Sequence, residues 1–205
     1  MVASSHETGS RERGVAMAVK QELMTAEQFW EMPEVPGKQL ELVCGEIVAV
    51  PSSGAMHNLI VGLLHHLLYA FASEQRLGLV FGDNMGYVLR RGLDTVRIPD
   101  VSFIAWDRVP EVGIPDGSWQ IPPDLAVEVV SPSDQAEDVY NKAREYVESG
   151  VRAIWVVWPR RRAVSIHTSD RTTQEFGMDD ELDGGDVLPG FTVRIGELFN
   201  IPTRP

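Results

Sequence analysis

The chain has 205 residues, 43% hydrophobic and 23% charged, which suffices to bury one ordinary core and favours a single globular domain. Its only cysteine, Cys44, excludes an intramolecular disulfide framework, no Cys and His spacing suits a structural zinc, and a reducing, cytoplasmic setting is expected. With 30 acidic against 18 basic side chains the net charge is -12, which disfavours tight non-specific binding to DNA, so any nucleic-acid contact must be local.

Residues 1–20 mix small, polar and charged types without a period and are expected to form a disordered tail with no secretion leader. A single domain is expected over 21–200, followed by a short tail at 201–205. Thr25-Ala26-Glu27-Gln28 predicts a capped helix start before Phe29 and Trp30, ended by Pro33 and Pro36. Residues 39–50 predict two strands folded back at Cys44 and Gly45. From about Ala55 to Arg76 the spacing predicts a helix with Ile60, Leu63, Leu64, Leu67 and Phe71 on one buried face. Its apolar run, Leu59 to Ala72, is 14 residues long and broken by His65 and His66, too short and polar to span a bilayer.

Strands are predicted near 79–82, 85–90 and 98–105, the last headed by Pro99 and Asp100. After a loop of about eighteen residues, 124–130 is apolar on both faces except at Glu128, as a central strand would be. Beyond a turn at 131–134, residues 137–149 predict a helix with Val139, Ala143, Tyr146 and Val147 inward and Gly150 as its stop. Residues 151–158 predict a further buried strand, joined to the Glu128 strand by a parallel crossover. Arg160–His167 is expected to be an outer strand, and 175–186, with six acids and no base, a solvated turn region.

Glu128 is the most informative position, because a carboxylate in a two-sided apolar strand costs several kcal/mol unless it is paired, protonated or bound to a cation. Asp100, at the head of its strand, is either a turn residue or the second carboxylate of a site for magnesium or manganese, which take oxygen ligands. Lys142 lies on the border of its helix's buried stripe; it either snorkels to the surface or reaches over the Glu128 strand to offset charge on a scissile phosphate. Glu41 alternates with Leu40 and Leu42 and is equally readable as a solvated strand residue, while His57, three before Ile60, is a packed or capping histidine or an auxiliary group. Arg90, Arg91, Arg97, Arg144 and Arg160–Arg162 either form a phosphate-contacting rim or simply solvate the surface.

Taken in order, Leu40-Glu41-Leu42-Val43-Cys44-Gly45-Glu46-Ile47, His57, Pro99-Asp100-Val101-Ser102, Val127-Glu128-Val129-Val130-Ser131-Pro132-Ser133, Lys142, Tyr146, Gly150-Val151 and Trp155 form a pattern. In that order and spacing the chain resembles, from about Thr25 to Phe199, the Uma2 family within the restriction-endonuclease-like PD-(D/E)XK superfamily. The resemblance implies an α/β fold with a mixed central sheet flanked by helices and an N-terminal hairpin. It also implies a Mg2+ or Mn2+ site at Asp100, Glu128 and the Val129 carbonyl, with Glu41 extending it, and His57 and Tyr146 as auxiliaries. The lysine that the superfamily places two residues after the glutamate is Val130 here, so Lys142 would supply the amine; Cys44 stands where the family often has aspartate.

A magnesium-dependent endonuclease acting on DNA is therefore expected, against two rivals, a non-cleaving interaction module and a hydrolase of a small phosphoester. A homodimer is expected too, because Ile154–Trp158 and the following strand offer more apolar and edge surface than a lone domain easily covers.

Overall fold

The computed structural model describes residues 23–51 and 53–201. The tail expected at 1–20 lies outside the described residues, as do 202–205 of the C-terminal tail. Helix α1 (Ala26–Trp30) starts as expected, with Thr25 Oγ1 accepting the Gln28 N–H and the Gln28 side chain accepting the Thr25 N–H. Strands β1 (Gln39–Val43) and β2 (Glu46–Val50) pair antiparallel around Cys44 and Gly45, whose φ values of 52° and 81° make the tight primed turn that matches strand twist. Cys44 tolerates the left-handed region here while its N–H donates to Thr95 Oγ1.

After α2 (Ala55–Glu74) come β3 (Gly78–Phe81), β4 (Tyr87–Arg90), β5 (Thr95–Arg97), β6 (Val101–Ala105) and β7 (Leu125–Val129). Then follow α3 (Ala136–Glu148), β8 (Ala153–Trp158), β9 (Ala163–Thr168), β10 (Thr173–Phe176), β11 (Glu181–Asp183), β12 (Thr192–Arg194) and α4 (Ile195–Leu198). The main sheet runs β10-β9-β8-β7-β6-β3, with β7 and β8 parallel across the α3 crossover and its other pairs antiparallel. A second sheet, β2-β1-β5-β4, holds the hairpin. The mixed α/β architecture flanked by helices is the one expected.

Strand parity sorts the core into two layers. Leu125, Val127 and Val129 of β7 and Trp155 of β8 face α2 and α4, with Leu188 and Phe191 packed among them. Ala126 of β7 and Ile154 and Val156 of β8 face Ala143 and Tyr146 of α3, with Tyr87 and Trp119. Each Val, Leu, Ile or Phe side chain so taken from water is worth roughly 1.5–3 kcal/mol. Glu128 belongs to the second face and is the charged interruption in it.

The structure corrects several expectations. The buried row of α2 is His57, Ile60, Leu64, Leu68 and Ala72, so Leu63 lies beside the core and not in it. Leucines occupy two adjacent rows of this helix, and only packing on the sheet selects between them. At 20 residues, α2 is also longer than the expected apolar run and meets the length and hydropathy of a membrane span, yet its buried row packs on the main sheet as a core helix does. Asp100 precedes its strand, which begins at Val101. β9 is not the outer strand, because β10 pairs with its free edge, and the acidic segment contributes β11 with Leu182 fully buried. Ile154, Trp155, Val156 and Val157 are likewise buried within one copy of the chain, which removes the reason for expecting a homodimer.

Candidate active site

Glu128 is one residue from the C-terminal end of β7, on the face that α3 covers. Lys142 and Tyr146 are four apart on α3 and so share that face. The Lys142 ammonium donates to Glu128 Oε2 at 2.9 Å and the Tyr146 hydroxyl to Glu128 Oε1 at 2.8 Å. The half-buried carboxylate is thereby paired on both oxygens, which offsets part of its cost. β6 and β7 run antiparallel with Val101 opposite Val127, so Asp100, just before β6, meets the end of β7. Its Oδ2 accepts the Val129 N–H at 2.7 Å, and His57 Nε2 lies 3.2 Å from the same oxygen. The N-terminal turn of α2 supplies that histidine.

Glu41 arrives from the second sheet and is 2% exposed, so it is not a solvated strand residue. Its Oε1 accepts the Ile98 N–H at 3.1 Å and lies 3.1 Å from Lys142 Nζ, while Oε2 accepts from Arg97 at 2.7 Å. Lys142 consequently sits between two carboxylates rather than snorkelling outward. Glu41, His57, Asp100, Glu128, Val129 and Lys142 line one cleft of about 720 Å3; Tyr146 supports Glu128 from the core beneath it.

The expected arginine rim divides. Arg90 and Arg144 line the cleft. Arg91 is spent on Glu27 and Asp94, and Arg160–Arg162 follow β8 in the turn to β9, with Arg161 over the Trp158 ring. Arg97 is half-buried between Glu41 and Glu145, a role the sequence did not suggest; Glu145 is a site residue it missed altogether. The available signal was its spacing, three residues after Lys142 on the same helix face.

Burial pushes the Glu128 carboxyl up to about 7; Lys142 opposes the rise and the neighbouring Asp100 and Glu41 charges add to it. Burial would also raise Glu41, but the Lys142 ammonium and Arg97 guanidinium outweigh it and hold that carboxyl below the usual range. Burial alone would lower Lys142, and Glu128 and Glu41 instead raise it, so it stays an ammonium. Burial would lower His57, but its bond to Asp100 raises it. Four carboxyl groups (Glu41, Asp100, Glu128, Glu145) therefore meet two permanent cations (Arg97, Lys142), a surplus of two negative charges when Glu128 is ionised and His57 neutral.

No three His, Cys, Asp or Glu side chains among the described residues converge as a metal-binding group. Oxygen donors of the kind a hard divalent cation takes line the cleft at Asp100, Glu128 and Val129. Oxygen chemistry and the surplus negative charge both suit Mg2+ or Mn2+.

The pH dependence of metal-free stability follows. Between the ordinary carboxylate range and about 7 the folded protein holds a proton on Glu128 that the unfolded chain has lost, so stability falls as pH rises through that window. The raised His57 acts in the same direction. The melting temperature of metal-free protein is expected to decline from pH 5 to pH 8, and Glu128→Gln to flatten that decline; thermal melts across the range check it.

A family model for Uma2, described as "Putative restriction endonuclease", matches residues 26–196. No curated protein matches the chain. A solved structure from Anabaena variabilis, described as a putative nuclease belonging to DUF820, is similar over 86% of this chain and 97% of its own, with a TM-score of 0.76 and 22% identity.

Proposed function

The chain belongs to the Uma2 family, and from that premise we propose that it is a divalent-metal-dependent endonuclease that hydrolyses phosphodiester bonds in DNA. One observation carries the proposal: Glu128, on a central strand, is held by Lys142 and Tyr146 and lines the same open cleft as Asp100, which accepts the N–H of the next residue, Val129. Asp100, Glu128 and the Val129 carbonyl would hold the cation, whose chemistry when bound would be Lewis acidity toward water and the phosphate.

The chain's own groups do the rest. Lys142 remains protonated, so it serves as a hydrogen-bond donor to water or phosphate and offsets developing negative charge, and it is not the general base. Tyr146, whose hydroxyl burial raises well above its ordinary range, stays a neutral donor and fixes the Glu128 rotamer. His57 and the Val129 N–H orient Asp100 through one oxygen. Arg90 and Arg144 lie along the cleft where phosphates flanking the scissile bond would pass. Every residue given a part comes from one copy of the chain, so this chemistry does not call for the homodimer expected from the sequence.

The net charge of -12 favours a second reading, a hydrolase of a small phosphodiester, for which an acidic surface is no obstacle. Plasmid nicking and hydrolysis of a small chromogenic phosphodiester, each in Mg2+ and Mn2+ with and without EDTA, separate the two. Metal-dependent nicking that EDTA abolishes supports the endonuclease. Turnover of the small ester alone supports the second reading, and inactivity on both leaves the non-cleaving interaction module.

A further inference from the structure

We propose that Arg97 and Glu41 are positioning residues which set the Lys142 amine against Glu128, and that Glu41 is not a metal ligand; the proposal rests on the part given to Lys142 above. Register carries the first step. Leu42 of β1 pairs with Val96 of β5, so Glu41 and Arg97 stand opposite each other across the two strands. The Arg97 side chain, 14% exposed, uses its whole fork: Nη1 donates to Glu41 Oε2 at 2.7 Å, and Nε and Nη2 both reach Glu145 Oε2 at 2.6 Å. Planar, charge-assisted bonding of this kind fixes direction as well as distance.

Helix geometry carries the second step. Lys142 and Glu145 are three apart on α3 and share a face, so the second sheet grips that helix twice, at Glu41 with Lys142 and at Arg97 with Glu145. The two grips set the rotation of α3 about its axis, and with it the direction of the lysine stem. A lysine amine on four rotatable carbons has no preferred direction of its own and takes one from fixed acceptors. Glu128 is one; Glu41 is the other, and it is itself held by Arg97 and by the Ile98 N–H. Both Glu41 oxygens are thus committed to protein donors. Ligating a cation would require Glu41 to abandon three donors, Arg97, Lys142 and the Ile98 N–H, at a side chain only 3% exposed. Glu128 has two, Lys142 and Tyr146, at a side chain 16% exposed to the cleft, and Asp100 places both of its bonds among the described residues on Oδ2.

The test uses Glu41→Gln, Arg97→Gln and Arg97→Lys with three readouts. In Glu41→Gln, Mn2+ affinity by calorimetry is expected within about 3-fold of wild type, while the nicking kcat falls roughly 30-fold with KM little changed. Arg97→Lys, which keeps one charge for Glu41, should recover part of the kcat lost in Arg97→Gln. Reductive methylation of Lys142, read by mass spectrometry against the exposed Lys38 in the same sample, should be about 10-fold faster in Glu41→Gln and Arg97→Gln, since the amine is no longer clamped. A loss of Mn2+ affinity in Glu41→Gln as large as that in Glu128→Gln overturns the proposal by making Glu41 a ligand. Unchanged kcat and unchanged labelling in both variants overturn it as well. If wild type nicks nothing, the endonuclease reading fails by itself, and the labelling and Mn2+ measurements still decide the positioning role. Should Arg97→Gln fail to fold, Glu145→Gln removes the same clamp from the helix side and takes its place.

Discussion

Lys142→Ala is expected to lower plasmid nicking by about 100-fold or more while leaving Mn2+ affinity within a few-fold of wild type, the scale of losing one electrostatic stabiliser of the transition state. The amine touches Glu128 and Glu41 and not Asp100, so its removal leaves the proposed oxygen donors in place. As a border lysine it would cost almost no stability, but the structure changes that expectation. Its loss leaves two buried or half-buried carboxylates short of a donor, a deficit of about 1–3 kcal/mol in metal-free protein. For a domain of this size that corresponds to roughly 2–4 °C in Tm for each kcal/mol. The loss should be largest above pH 7, where Glu128 is ionised, and smaller near pH 5, where it carries a proton. Nicking in Mg2+ alongside thermal melts measures both effects. Nicking at the wild-type rate by this variant, with Glu128→Gln inactive, would remove Lys142 from the mechanism and spare the metal site.

Glu128→Gln should abolish nicking and weaken Mn2+ binding by about 100-fold or more, because an amide supplies one neutral oxygen where the cation needs a carboxylate. The substitution keeps the volume of the side chain and the hydrogen bond to Tyr146, so the fold is retained. It also removes the need to bury an ionised group, and metal-free protein at pH 8 is expected to melt no lower than wild type. Loss of binding without loss of fold separates a ligand from a structural residue. Calorimetric titration of Mn2+ into both proteins decides the matter, and equal binding would sink the proposed site at Asp100 and Glu128.

Much of this was legible in the sequence wherever the determining interaction is local or periodic. The Thr25 capping box, the Cys44 and Gly45 turn and the Gly150 stop are each specified by a few consecutive residues. The central position of β7 follows from its two apolar faces, and Glu128 draws attention by breaking one of them. That Lys142 and Tyr146 share one face of the crossover helix follows from their spacing of four, while their bonds to Glu128 come from the packing of that helix on β7.

Other features were decided by partners distant in the chain. Glu41 reads the same whether it is solvated or buried, and only the pairing of β1 with β5 and the packing of that sheet against α3 bury it. Arg97 reads as one more surface arginine until Glu41 and Glu145, 56 and 48 residues away, close on it. The sequence also could not tell which leucine row of α2 faces the sheet, or that β10 would cover the edge of β9. Periodicity states that a face is apolar, and composition states that a charge needs a partner. The identity of either partner is settled by long-range packing, because burial and Coulombic pairing depend on distance in space and not on separation along the chain.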